Sequence, residues 1–133
     1  MLFGAEHVER YMQTDGAEGH DWQGTTALIL TTVGRRSGQT RHTPLIYQGH
    51  GDDYLVVASK GGADDPPAWY LNLEANPEVQ VQVKADRFTA RARTADAQEK
   101  PAMWETMVKA WPAYEDYQQK TSREIPVVVL ERV

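Results

Sequence analysis

The sequence predicts a small antiparallel β-barrel of six strands with a few helices packed outside it. Two observations carry this: six short apolar or alternating runs recur along the 133 residues, and most are joined by short turns compatible with hairpins. A third excludes the main competitor, since there is no βαβ alternation and no G-x-G-x-x-G or Walker motif to support a dinucleotide-binding or P-loop fold. The length fits one domain, 1–133, with an N-terminal helix and loop at 1–23.

The elements follow in order. Within 1–23, Leu2, Phe3, Val8, Tyr11 and Met12 form one rough apolar helical face, and a polar Gly-containing loop follows. The helix is expected to cover one end of the core. Contact with a membrane surface is a weaker reading, because the helix has no basic face. Residues 26–33 form a strand around the apolar run Ala27-Leu28-Ile29-Leu30. Gly34-Arg35-Arg36-Ser37-Gly38 is a turn, and 41–47 is the returning strand. Pro44 in that strand cannot donate to a ladder and marks an edge, a bulge or a bend. Residues 54–59 form the third strand, closed by Lys60-Gly61-Gly62.

A helix is expected over 68–74, entered through Pro66-Pro67 and stopped near Asn76-Pro77. Val79, Val81 and Val83 alternate with polar residues, as do Phe88, Ala90 and Ala92, giving strands four and five. Residues 96–110 form a helix with Met103, Trp104, Met107, Val108 and Trp111 at helical spacing, and Pro101 implies a later start or a kink. Val127-Val128-Val129-Leu130 is the last strand.

Composition narrows function. The absence of cysteine excludes disulfides, thiolate metal sites, iron–sulfur clusters and a Cys nucleophile, and agrees with a cytoplasmic location. No apolar stretch approaches the ~20 residues of a membrane span. The net charge of −5 is unevenly placed: residues 24–50 hold three arginines and no acid, leaving −8 for the rest. A basic island on an acidic chain suggests a small anionic ligand rather than a nucleic acid.

Arg35, Arg36 and Arg41 lie within seven residues beside a Gly-rich turn. Guanidinium forks and turn N–H groups suit phosphate and carboxylate oxygens, although a solvated hairpin tip has the same composition. Lys60 would join that anion site if strands two and three are neighbours, as hairpin order implies; otherwise it is a charged strand end. Trp111, Tyr114 and Tyr117 share one face if they lie on a helix, as an aromatic pocket or a core stripe. The four histidines show no metal-ligand spacing, and Ser37 and Ser59 lack a His–Asp arrangement.

From about Thr25 onward the sequence resembles the deazaflavin-dependent nitroreductase family, small split-β-barrel reductases that use coenzyme F420. The residues that carry the resemblance are Leu30-Thr31-Thr32-Val33-Gly34-Arg35-Arg36-Ser37-Gly38-Gln39-Thr40-Arg41, Val57-Ala58-Ser59-Lys60-Gly61-Gly62, Trp69-Tyr70-Leu71-Asn72-Leu73 and Tyr114-Glu115-Asp116-Tyr117. The resemblance implies that Arg35, Arg36, Ser37, Arg41 and Lys60 hold the coenzyme. It places Pro44, Ala58 and Ser59 beside the deazaflavin ring, Ala68 and Asn72 along its channel, and Trp111, Tyr114 and Tyr117 on the substrate side. Ile46 and Trp111 stand where the nitroimidazole-reducing pattern has tyrosines. Their lack of hydroxyls implies a flat, apolar, conjugated acceptor.

The implied reaction is hydride transfer to an alkene conjugated to a ketone, ester or lactone, with quinones next, and with Tyr114, Tyr117, Ser59 or water as proton source. Three alternatives stand beside it: an FMN enzyme on a related barrel, a non-catalytic F420 carrier, and a nucleic-acid- or partner-binding barrel. The last predicts salt-sensitive oligonucleotide binding that F420 does not displace. The oligomeric state is left open.

Overall fold

The computed structural model describes residues 2–133; Met1, the first residue of the expected N-terminal segment, lies outside them. β2 (Thr25–Val33) organises the sheet. It pairs antiparallel with β3 (Thr40–Ile46) on one side and with β6 (Glu78–Val83) on the other. From β6 the ladder continues through β7 (Asp86–Thr94) and β8 (Val127–Arg132) to β5 (Asp53–Val57). Two short strands extend it: β1 (Asp21–Trp22) on β2, and β4 (Gln48–His50) on β5. The result is an antiparallel curled sheet with helices, consistent with a split barrel.

Among the described residues the sheet has eight strands, not six. The two additional strands are two and three residues long, too short to show any periodicity. β4 also corrects the expected pairing. The chain leaves β3 after Ile46 and β4 makes the hairpin with β5, so β3 and β5 are not paired. Pro44 sits opposite Ile29 on β3, an edge strand, where its missing N–H costs no ladder bond.

Alternate residues of β5 and β8 face two cores. Val56, Val128 and Leu130 join Leu28 and Leu30 against Trp69, Tyr70 and Leu73 of α2 (Ala68–Ala75). Leu55, Val57, Val127 and Val129 pack on Met103 and Met107 of α3 (Lys100–Ala110) and on Tyr114 of α4 (Ala113–Gln119). Both faces of these strands are buried, which is why their sequences read as continuous apolar runs.

α3 starts later than the expected 96, so Pro101 falls in its first turn, where the missing N–H is harmless. It ends at Ala110 because Pro112 disfavours helical backbone at Trp111, whose φ/ψ are −146°/86°. Trp111 therefore lies at the α3–α4 junction, so the condition of one helix shared by Trp111, Tyr114 and Tyr117 is not met.

α1 (Gly4–Gln13) lies across β3 and is tied at its C-terminal end: Tyr11 is fully buried, and its hydroxyl accepts from the Lys84 N–H at 2.8 Å.

Arg93 of β7 donates to Glu99, just before α3, and pairs with Glu131 of β8. The Arg93 guanidinium, helped by the Asp96 N–H, lowers the Glu99 carboxyl from the ordinary 4.5 to about 2. A carboxyl lowered on folding stabilises above its unfolded value, and that stabilisation fades as pH falls toward 2. Glu99→Gln should flatten the pH dependence of urea unfolding in this window; equal dependence in both proteins would contradict the assignment.

Candidate cofactor and acceptor site

The 34–39 turn is held by its own backbone. The Gly34 N–H donates to Gln39 O at 2.7 Å, the Gly38 N–H to Gly34 O at 2.9 Å, and the Gln39 N–H to Ser37 Oγ at 3.2 Å. A Cβ on Gly34 would lie 2.6 Å from Ser37 Oγ and 3.2 Å from Gln39 O, so a side chain there would push the Ser37 hydroxyl off the Gln39 N–H. Asn72, buried on α2, fastens the turn to the body. Its Oδ1 accepts from the Arg35 N–H (3.1 Å) and guanidinium (3.0 Å), while its Nδ2 donates to Thr32 Oγ1 at 3.3 Å. Asn72 thus orients Arg35 as well as flanking the cavity.

Arg35, Arg36, Ser37, Arg41, Ala68 and Asn72 line one cavity of about 700 Å³. Among the described residues none of the three arginines is ion-paired, whereas Arg10, Arg87, Arg93, Arg132, Lys100 and Lys109 all are. His42 also lines this cavity, and Glu9 brings a single carboxylate from α1. Three guanidiniums without an ion-pair partner around an open cavity have the chemistry that suits an anionic ligand.

A second cavity of about 360 Å³ adjoins it, lined by Pro44, Ile46, Ser59, Trp111, Tyr114 and Tyr117, and Lys60 stands at this cavity too. Trp69 lines both cavities. Two placements differ from expectation. Lys60 belongs to the aromatic cavity rather than to the arginine cluster, because β3 and β5 are not paired. Ala58 is fully buried in the core and does not line the cavity, while Val57 and Ser59 on the opposite face of the chain do.

The aromatic triplet converges despite the helix break. Trp111 Nε1 donates to Tyr117 Oη at 3.4 Å, and the Tyr114 and Tyr117 rings meet edge-on at 6.0 Å. Burial raises the Tyr114 phenol above its ordinary value, with the nearby Tyr117 adding to the effect. Its hydroxyl and Ser59 Oγ have no hydrogen-bond partner among the described residues, yet neither is sealed from solvent. Both are available to a ligand.

Several contributors have no local sequence signal. Arg123 donates from Nε to Ala63 O at 2.8 Å, from Nη2 to Ser59 O at 2.9 Å, and from both Nη atoms to Ala58 O at 3.3 Å. It clamps the turn that carries Ser59 and Lys60, whose φ of 46° is left-handed. The N-terminal arm supplies Phe3, His7 and Trp22 to the aromatic cavity, and Trp22 lies 5.9 Å from Trp111. In the sequence, the apolar residues of α1 suggest a cover for the core or, more weakly, a membrane-surface contact, and not a cavity wall.

An anion site joined to an aromatic slot suits an acidic cofactor with a flat ring. The family model described as F420H(2)-dependent quinone reductase matches residues 4–132. The chain belongs to this family. The F420H(2)-dependent quinone reductase family is also represented by a Mycobacterium tuberculosis relative of that name, 41% identical over 130 residues, 95% of this chain and 87% of the relative. A solved F420-H2 dependent reductase is 40% identical with a TM-score of 0.73, covering 79% of this chain and 93% of that one. A second solved relative, described as a domain-swapped dimer, is 38% identical with a TM-score of 0.77 and 95% coverage of both chains. The chain is thus an oxidoreductase of an F420-dependent family, and these relatives lend no support to FMN as the cofactor. Among the described residues no helix is long and apolar enough to cross a membrane.

Proposed function

We infer that this protein uses F420H2 to reduce flat, apolar, conjugated acceptors, with quinones as the principal class and α,β-unsaturated ketones, esters or lactones using the same slot. The observation that carries this is the continuity, across Trp69, of an unpaired arginine cavity with an aromatic cavity. In this reading Arg35, Arg36 and Arg41 hold the cofactor's phosphate and acidic tail, with Asn72 fixing Arg35 and with Ser37 and Ala68 along the wall. Pro44, Ser59 and Lys60 flank its ring. Ile46, Trp111, Tyr114 and Tyr117 receive the acceptor.

When bound, reduced F420 supplies the hydride. The aromatic walls exclude water and stack the acceptor flat, and the free hydroxyls of Ser59 and Tyr114 donate to its developing oxyanion. Because its phenol is raised, Tyr114 acts as a hydrogen-bond donor more readily than as a proton source. Ile46 and Trp111 leave few hydroxyls for a nitro group, which favours carbonyl acceptors.

A fluorescence titration with oxidised F420 at low and high salt, followed by turnover with a naphthoquinone, an unsaturated lactone and a nitroimidazole, tests this. Salt-weakened cofactor binding and turnover fastest with the quinone are expected. Absence of F420 binding, or a preference for the nitroimidazole, would overturn it; binding without any turnover would mark a carrier.

A further inference from the structure

The aromatic cavity contains a titratable group for which the reading above has no task. His7 of α1 lines it, only 3% exposed. Its Nε2 lies 2.8 Å from Gly19 O. A carbonyl oxygen only accepts, so Nε2 carries a hydrogen and donates it. A Cβ placed on Gly19 would lie 2.9 Å from His7 Cδ2 and 3.1 Å from Nε2, so this edge of the ring faces the loop. Nδ1 lies on the other side of the ring from this contact, and His7 is a lining residue of the cavity. Nδ1 has no hydrogen-bond partner among the described residues, and unlike Thr25 Oγ1 and Gln82 Oε1 it is not a sealed orphan. Trp22 stacks on the imidazole at 6.0 Å with planes 20° apart, and holds the ring in this orientation.

The surroundings suit proton delivery. Among the described residues no carboxylate lines this cavity; its other polar side chains are Ser59, Lys60, Tyr114 and Tyr117, with the indoles of Trp22, Trp69 and Trp111. On α1, Glu6, Glu9 and Arg10 are exposed and Tyr11 lies 6.4 Å away, ring to ring. In the neighbouring segment His20 and Asp21 are engaged with each other. Imidazole is the side chain that titrates near neutrality, whereas a buried phenol and an alcohol release protons poorly there.

We propose that His7 is a catalytic residue of acceptor reduction: its Nδ1 hydrogen-bonds an oxygen of the quinone and delivers the proton that completes the hydroquinone. This rests on the quinone-reductase reading. Hydride addition leaves a hydroquinone monoanion. The donor is the imidazolium form, with Nε2–H on Gly19 O and Nδ1–H on the quinone oxygen: the Nδ1–H bond breaks, its electron pair stays on Nδ1, the new O–H bond forms, and the neutral imidazole left behind takes a proton from solvent. Because Nε2–H is held on Gly19 O, Nδ1 is the nitrogen that exchanges its proton.

His7→Gln tests this, since the glutamine amide can keep a donor on Gly19 O while the Nδ1 edge is lost. The variant should retain its Tm and its F420 affinity, with quinone kcat lowered about 100-fold or more. The wild-type rate should fall as pH is raised, and the variant rate should stay flat. Independently of turnover, adding a naphthoquinone to the cofactor-free protein should shift the His7 Nδ1 ¹⁵N resonance more than Nε2. Unchanged kcat and pH profile in His7→Gln, or a larger shift at Nε2, would overturn the proposal. Should the variant fold poorly, a flat wild-type pH profile would do the same. Failure of the underlying reading is separate: the wild-type protein would then reduce no quinone.

Discussion

Arg41→Glu should weaken F420 binding by about 100-fold, with no change in Tm. Arg41 is exposed, has no ion-pair partner among the described residues, and lines the anion cavity with Arg35 and Arg36. Each charge-assisted bond contributes roughly 1.5–3 kcal/mol, and a carboxylate adds repulsion from the ligand's own acids; about 1.4 kcal/mol is tenfold in affinity. Arg91→Glu is the control, because Arg91 is equally exposed on β7 and lines neither cavity. A fluorescence titration of both variants at low salt decides the matter. Equal loss in the two would mean that binding follows overall charge rather than this cavity.

Gly62→Ala should lower the Tm by roughly 10 °C and raise the KM for quinone while leaving F420 affinity nearly unchanged. Gly62 has φ +86°, and a Cβ there would lie 2.5 Å from Tyr117 O and 2.9 Å from Tyr117 Cα. Left-handed backbone costs an alanine about 1 kcal/mol. The overlap is with backbone, which no rotamer change relieves, so about 2–4 kcal/mol in all is expected, equivalent to that Tm shift for a chain of this size. Relief requires α4 to move, and α4 carries Tyr114 and Tyr117 into the acceptor cavity. Gly61→Ala separates strain from overlap, since Gly61 has φ +63° and a Cβ there would meet nothing within 4 Å. Calorimetry should show Gly62→Ala as the far more damaging change; similar losses would remove the steric argument.

The main strands are legible in the sequence because their signals are local. Alternation marks β6 and β7, continuous apolar runs mark β5 and β8, and Pro44 marks an edge strand. The arginine turn is legible because glycines and cations crowd a few residues, and the aromatic triplet because its members recur every three. The helix break at Trp111 follows from Pro112, a local signal that the helical spacing of the aromatic residues masks.

What local pattern cannot decide is the partition of these groups in space. Lys60 belongs with the aromatic residues because β4, three residues long, takes the hairpin position beside β5. Arg123 supports Ser59 from 64 residues away, and Asn72 holds Arg35 from 37. Along the chain His7 is an ordinary helix residue; the loop at Gly19 and the stack on Trp22 fix its ring where the fold makes it part of the cavity lining. Backbone preference and hydrophobic period act over a few residues and so are written along the chain. A cavity is made by side chains that meet only after the sheet has curled, and so its membership is a property of the tertiary fold.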